Sequence, residues 1–503
     1  MCQNGEKLPK KLTAKTLIDN GITPITPRDF VRRELMKLIT SLTGKGLDKE
    51  SILQSLYPNT LLDYETLESL TTALIAGNNI LLFGPPGSGK TNLAKDVWKL
   101  FPKTVFAVEG CPVQDDPFSV ADPEFARKVP PCPACQARFG SGKDEGTGFD
   151  PAEVDPRSVP VLEMTMREGF GFARVQGSPE VFPDNLTGTI NIHKLEEIGD
   201  PTSPLVMVPG KLLQANRGVL IVDEVGKLPK GTQNVLLQAL QEGIVTPAKS
   251  RATFPASFIA ITTSNMDDLD NINEPLNDRL SNIYVGFNSR HTKNRMIVDL
   301  AEQDRNLFFP EIFLEADVYL IESWRKVHTH GHELSEVGSN RTMMDIVTRA
   351  QSYSRLAFDS SVDMESFRKG TLQALFGRIR ARSGDSYMRS NMTTEDFVNR
   401  HLDESLEKAG KMYWCRFFTR ELKKDKAEGK RVLGEIRQAI EKKDSIPDMM
   451  RSNELRKFRR FADYIITTET RKGQLEDVEI VRQVLSILEN IKTFEEKDLL
   501  DGL

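Results

Sequence analysis

Cysteine is scarce in this chain of 503 residues. Its five cysteines, Cys2, Cys111, Cys132, Cys135 and Cys415, are too few and too uneven in number for a disulfide framework. An excess of one charge is also missing. With 67 Lys and Arg against 72 Asp and Glu, the formal net charge of −5 exerts no global pull toward nucleic acid, and no nucleic-acid partner is expected. Long hydrophobic runs are absent as well. The most apolar stretches, "NNILLFG" and "GVLIVDEV", are far too short to cross a bilayer, and the opening "MCQNGEKLPKKL" has no apolar core of the secretory kind. A cytoplasmic protein without a membrane partner is the expectation. What remains is a globular balance, 39% hydrophobic and 28% charged, on a chain long enough for about three structural units.

The pattern changes along the chain. Residues 1–70 read as helical: "TPRDFVRRELMKLITSL" has Thr26 as N-cap, Pro27 in the first turn, and Val31, Leu35, Leu38 and Leu42 on one stripe. Residues 71–300 carry short apolar or β-branched runs, "NILLFG", "TVFAVEG", "GVLIVDE" and "SFIAITTSN", separated by helical stretches. Strands alternating with helices predict an α/β unit, a parallel sheet sandwiched by helices. Pro- and Gly-rich sequence interrupts this rhythm, and the interruptions are expected as inserts at about 109–160 and 166–215. Residues 301–360 and 361–503 show helical periodicity only, and "RELKKDKAEGKR" reads as a solvated helix face. In "RSNELRKFRRFADY", basic residues are interleaved with Phe458 and Phe461; with Leu455 and Ala462 these form an ordinary apolar stripe, the reading preferred over a phosphate-binding patch.

The strongest chemical signal is "NILLFGPPGSGKTNLAK". Gly84, Pro85, Pro86, Gly87, Ser88, Gly89, Lys90 and Thr91 complete G-x-x-x-x-G-K-[ST] between an apolar strand and a helix. Such a loop curls backbone N–H groups around phosphate oxygens at a helix N-terminus. Lys90 is placed to reach the outer phosphates of ATP and Thr91 to hold its Mg²⁺. A second strand, "GVLIVDE", ends in Asp223, suited to the Mg²⁺ shell, and Glu224, suited to polarise an attacking water. A third, "FIAITTSN", ends in Asn265, whose amide can orient that water. Beyond it, in "EPLNDRLSN", Arg279 is a candidate to reach a neighbouring subunit's nucleotide.

This order of parts resembles the AAA+ ATPases, and the resemblance implies a P-loop core followed by an all-α lid, here with an additional C-terminal helical region. Arg341, in "GSNRTMMDIVTRAQSYSRLAF", matches the family's second sensor arginine, which contacts nucleotide from the lid. "LTGTINIHKLEE" and the run from "VMVPGKLLQANRG" through "GIVTPAKSRATF" resemble the helix-2-insert clade, in particular magnesium chelatase ATPase subunit I and its MoxR-type relatives. The resemblance covers about residues 70–360. It implies a homo-oligomeric ring, a hexamer in the family, and a partner carrying a von Willebrand factor A domain. In the chelatases such a motor drives metal insertion into a tetrapyrrole held by a separate large subunit; in MoxR-type proteins it acts as a chaperone; and related AAA+ ATPases with the same inserts move DNA, so a nucleic-acid motor is the third and least favoured alternative. Glu274 stands before Pro275 where chelatase sequences have arginine, and the helical tail after 360 is additional.

The same resemblance accounts for the cysteines. Subunit I sequences often carry Gly-Cys-Pro after the second strand and a Cys-x-x-Cys some way downstream, here "EGCPVQDDP" with Cys111 and "CPAC" with Cys132 and Cys135. Two thiolates of a Cys-x-x-Cys can face one ion, so Zn²⁺ is a candidate; a closed site needs a fourth ligand, for which His193, Asp115 and Asp116 are the choices, against a reading as reduced structural thiols. His328, His330 and His332 in "HTHGH" read as polar turn residues rather than ligands.

Overall fold

The computed structural model describes residues 12–140, 149–200, 203–247, 252–301, 304, 306–329, 334–336, 338–381, 394–422, 425–441, 446–451 and 455–491. The chain divides into two compact units at Phe287/Asn288. His330 and His332 lie outside the described residues.

In the first unit the strands used below are β1 (Asn79–Phe83), β2 (Thr104–Val108), β3 (Pro160–Thr165), β4 (Gly171–Gln176), β5 (Val219–Asp223), β6 (Ile259–Ser264) and β7 (Leu280–Tyr284). The central sheet runs in the order β7, β1, β6, β5, β4, with the short strand Arg167–Glu168 at its edge, and all its neighbours pair in parallel. Because side chains alternate across a strand, each central strand feeds two cores. Ile80, Leu82, Val219, Ile221, Ile259 and Ile261 face one side. Packed there are Val31 and Leu35 of helix Pro27–Gly44, Leu67 and Leu70 of helix Tyr64–Ala76, and Leu93 and Val97 of helix Lys90–Trp98. Leu81, Leu220, Val222 and Ala260 face the other side, where Leu236 and Leu240 of helix Lys230–Glu242 cover them together with Val108, Cys132 and Cys135. Thr26 does cap its helix, accepting the Asp29 N–H at 3.2 Å, with Pro27 in the first turn.

Two expectations about this sheet need correction. "TVFAV" (β2) is not in it. It pairs antiparallel with β3, from Thr104↔Thr165 to Val108↔Val161, in a separate sheet completed by Leu12–Thr13. The place beside β5 belongs to β4, "GFARVQ", which falls inside the stretch 166–215 read as an insert. The physical reason is the strand's alternation: Ala173 and Val175 supply an apolar face for the core, while Arg174 and Gln176 bind the carboxylates of Asp223 and Glu224 at the end of β5. The stretch 109–140 forms three short helices, Pro117–Ala121, Pro123–Lys128 and Pro133–Phe139.

Among its described residues the second unit is helical apart from a short antiparallel pairing of Leu334–Glu336 with Arg380–Ala381 and an isolated parallel bridge between Phe308 and Ser361. Helix Glu311–Thr329, from the expected lid, packs on helix Thr394–Glu421, from the expected tail, so both segments share one unit. Phe458 and Phe461 of helix Arg456–Thr468 are fully buried, and Phe461 stacks on Trp414 at 4.4 Å. The apolar-stripe reading of that segment therefore holds. His291 binds Glu315 through Nε2 at 2.7 Å and Glu322 through Nδ1 at 3.1 Å. Hydrogen bonding to Glu315, then to Glu322, raises its pKa to about 9. Among the described residues no helix is long and apolar enough to cross a membrane.

Candidate nucleotide site and a cysteine cluster

β1 delivers the chain into the glycine loop, and helix Lys90–Trp98 leaves it behind Gly89. Gly84 has φ +151°, and a Cβ there would meet Val285 O at 2.3 Å, so no side chain fits where the loop rests on the residue after β7. Val285 N–H donates to Phe83 O at 2.8 Å, fixing the contact from the other side. Lys90 Nζ points back into the loop, donating to Gly84 O at 2.7 Å, Pro85 O at 2.8 Å and Asn265 Oδ1 at 3.3 Å. Ser88 Oγ is buried and, among the described residues, has no hydrogen-bond partner.

The adjacent strands supply the carboxylates. Thr91 Oγ1 donates to Asp223 Oδ1 at 3.0 Å, and Thr263 Oγ1 donates to the same oxygen at 3.3 Å. Arg174 binds the other oxygen of Asp223 through Nε at 2.7 Å and Nη2 at 2.6 Å. Asp223 is only 3% exposed, so these four donors replace nearly all of its hydration. Glu224 turns out of the strand with φ +54°, a left-handed conformation that is uncommon for a residue with a side chain. Its N–H donates to Thr263 Oγ1 at 3.0 Å. Its carboxylate accepts from Gln176 Nε2 at 2.9 Å, Lys227 Nζ at 3.0 Å and Asn265 Nδ2 at 3.4 Å. Gly177 lets this turn pass close by: a Cβ there would meet Glu224 O at 2.0 Å.

The structure thus brings Lys90, Thr91, Asp223, Glu224 and Asn265 into one bonded network. Arg279 stands apart, half-exposed at the start of β7, its Nη1 donating to Pro275 O at 3.3 Å and pairing with Asp278 at 3.2 Å. Arg341 is exposed in the first turn of helix Asn340–Leu356, behind a capping box of Ser339 and Thr342, in the other unit. Arg174, Gln176, Lys227 and Thr263 were not singled out in the sequence. The one signal for Arg174 and Gln176 is their alternation with Ala173 and Val175, visible only once "GFARVQ" is read as a strand.

A second cluster lies where β2 ends. The ligand atoms of Cys111, Asp115, Cys132 and Cys135 all lie within 4.8 Å of one another. Cys111 Sγ and Cys132 Sγ are 3.6 Å apart, the Asp115 N–H donates to Cys111 Sγ at 3.2 Å, and the Cys132 N–H donates to Asp115 Oδ2 at 2.7 Å. Of the three candidates for a fourth ligand, the fold selects Asp115. Asp116 is occupied by Arg217 at 2.7 Å and by the Phe118 N–H at 3.0 Å, and His193 is exposed on helix Ile192–Ile198. Burial, reinforced by the negative charge of Cys111, pushes the Asp115 carboxyl up to about 8. Burial also raises the Cys132 thiol, and the hydrogen bond to Cys111 raises that of Cys135. Burial opposes charge on Cys111, but hydrogen bonds from Cys132 and Cys135 and from the Asp115 and Val113 amides outweigh it, so its thiol is the one held low.

Residues 158–278 match the family model described as "ATPase family associated with various cellular activities (AAA)", and residues 63–109 match "Magnesium chelatase, subunit ChlI". The chain is 28% identical over 246 residues to the magnesium-chelatase 67 kDa subunit of Heliobacterium mobile, covering 47% of this chain and 30% of that one. It is 26% identical over 200 residues to the magnesium-chelatase 38 kDa subunit of Cereibacter sphaeroides, covering 39% and 48%. The chain therefore spans a half or less of the length of either relative. Among solved structures, it aligns with a chain from the complex between subunits BchI and BchD of magnesium chelatase at 20% identity and a TM-score of 0.31, covering 63% of this chain and 93% of that one.

Proposed function

We infer that this chain, an AAA+ ATPase related to magnesium chelatase subunit I, is the ATP-hydrolysing member of a homo-oligomeric ring whose motion remodels a partner protein. The observation carrying this reading is the bonded network of Lys90, Thr91, Asp223, Glu224 and Asn265. Its donor set fits a triphosphate with Mg²⁺. Thr91 and Asp223 offer hard oxygen ligands, Lys90 offers a cation already aimed into the loop, and the buried Ser88 hydroxyl has no partner among the described residues. Bound Mg²⁺ would neutralise charge between the outer phosphates.

The residues then divide the work. Lys90 exchanges its bonds to Gly84 O and Pro85 O for phosphate oxygens. Arg174 keeps the outer oxygen of Asp223 occupied, which leaves Oδ1 turned toward Thr91. Glu224 accepts a proton from the attacking water, and the Asn265 amide, bridging Lys90 and Glu224, orients that water between the phosphate end and the base. Arg279, exposed and outside this network, is suited to act on a neighbour's nucleotide across a ring interface, and Arg341 to sense nucleotide from the helical unit.

The partner proposed is a protein with a von Willebrand factor A domain, and the downstream event is metal insertion into a tetrapyrrole by a separate subunit. A MoxR-type chaperone would use the same ATP site. Phosphate release from ATP by the purified full chain, with and without Mg²⁺ and with Lys90→Ala as control, tests the reading. Absence of Mg²⁺-dependent turnover at protein concentrations where rings form would overturn it.

A further inference from the structure

The cysteine cluster is outside the nucleotide network and plays no part in the proposed hydrolysis. Cys111 and Asp115 come from the turn after β2; Cys132 and Cys135 come from the start of helix Pro133–Phe139, where the Cys-x-x-Cys spacing turns both sulfurs to one side. Cys132 and Cys135 are 0% and 2% exposed and Asp115 is 2% exposed. Three thiols and a carboxyl gathered in an apolar core are a costly arrangement unless something compensates them. Asp116, the next residue, is compensated by Arg217, whereas Asp115 pairs with no basic side chain among the described residues. A divalent cation would supply the missing positive charge.

We propose that Cys111, Asp115, Cys132 and Cys135 form a closed structural site for a single Zn²⁺ ion. Tetrahedral Zn²⁺ with Zn–S bonds of about 2.3 Å spaces its sulfurs about 3.8 Å apart. The 3.6 Å between Cys111 and Cys132, and a span of at most 4.8 Å for all four ligand atoms, match one ion with small adjustments. Soft thiolates with one carboxylate select zinc over Mg²⁺ or Ca²⁺. All four positions are filled by the protein and nearly all are buried, which is the closed arrangement of a structural ion rather than the open one of a catalytic ion. The Asp115 and Val113 amides at Cys111, and the Cys132 amide at Asp115, are hydrogen bonds to the ligands that fix their orientation. The ion staples the turn after β2 to the third insert helix, joining two segments 21 residues apart in sequence.

The test uses the full chain purified under reducing conditions without added metal. Elemental analysis should find about one equivalent of zinc per chain, released stoichiometrically when a mercurial reagent titrates the thiols. Cys132→Ser should lower the zinc content at least about tenfold, whereas Asp115→Cys should keep it. Replacement by Co²⁺ should give a thiolate-to-cobalt charge-transfer band, stronger by about one third in Asp115→Cys as three thiolates become four. The wild-type measurements stand even if Cys132→Ser fails to fold. Wild-type protein lacking zinc, and whose three thiols react at the same rate before and after addition of stoichiometric Zn²⁺, would overturn the proposal, as would a Cys111–Cys132 disulfide found in place of the ion.

Discussion

Replacing Glu224 by Gln removes a proton acceptor while changing little else. The side chain keeps its volume, and its neighbours can adapt: Gln176 and Asn265 bind it through amides that can rotate to present oxygen instead of nitrogen. Only Lys227 cannot adapt, because an ammonium group has no acceptor; the new amide oxygen should therefore turn toward Lys227 and the new NH₂ toward a flipped Gln176. The ion pair lost is 42% exposed on the lysine and 31% on the glutamate, so the stability cost is at most about 1 kcal/mol. The chemical step is another matter. General base participation contributes about 10²–10⁴ in rate, or about 2.7–5.5 kcal/mol of barrier. Equilibrium binding of a fluorescent ATP analogue should therefore stay near wild type while single-turnover phosphate release falls at least about a hundredfold. If the variant hydrolyses ATP within about threefold of wild type, Glu224 is not the base, and the bonded network must work differently.

Other outcomes follow from the same contacts. Arg279→Ala should leave folding intact, because the residue is half-exposed, and lower ring ATPase by about 10³ or more. Mixing it with Lys90→Ala subunits should restore part of the activity, and a homogeneous Arg279→Ala ring with full activity would remove the role in trans. Arg174→Ala strips the buried Asp223 of its cation, which should cost about 1–3 kcal/mol in denaturant unfolding of the first unit and weaken Mg²⁺ dependence, with Arg174→Lys recovering only part. Trp98 fluorescence follows that unit, and an unchanged midpoint would refute the assignment. His291 has a folded pKa raised from 6.5 to about 9, so its contribution is fully present below pH 6.5 and is lost as pH rises toward 9. The shift sets an upper bound of about 3 kcal/mol, reduced to roughly 1–2 because the ring is partly exposed. Unfolding followed through Trp324 and Trp414 should show this decline in wild type and a shallower one in His291→Gln, where the buried Glu469, itself pushed up to about 8 by burial, still titrates.

How much of this was readable in advance depends on what each residue had to signal. The phosphate loop and the strands "NILLF", "VLIVD" and "IAITTS" announce themselves because strands buried on both faces must be apolar throughout. "TVFAV" has the same look but pairs elsewhere, since strand propensity says nothing about which sheet a strand joins. "GFARVQ" hides in the opposite way: Ala173 and Val175 meet the core while Arg174 and Gln176 meet Asp223 and Glu224, so polar residues break its apolar run and it reads as insert. Arg174 carries no signal of its own for that reason. Choosing among Asp115, Asp116 and His193 needed the fold, because a pair of adjacent aspartates differs only in which neighbours it meets, here Cys132 for one and Arg217 for the other.

The seating of Gly84 on Val285 has a mechanical side. Val285 lies two residues before Phe287, where the first unit ends, and its carbonyl fills the space a side chain on the first loop glycine would need. The strand's exit and the phosphate loop thus lie against each other with no slack. Since Val285 N–H also binds Phe83 O, a displacement of the chain leaving this unit would act directly on the strand that ends at the phosphate loop, and a change in the loop's shape at Gly84 would act on Val285 in return.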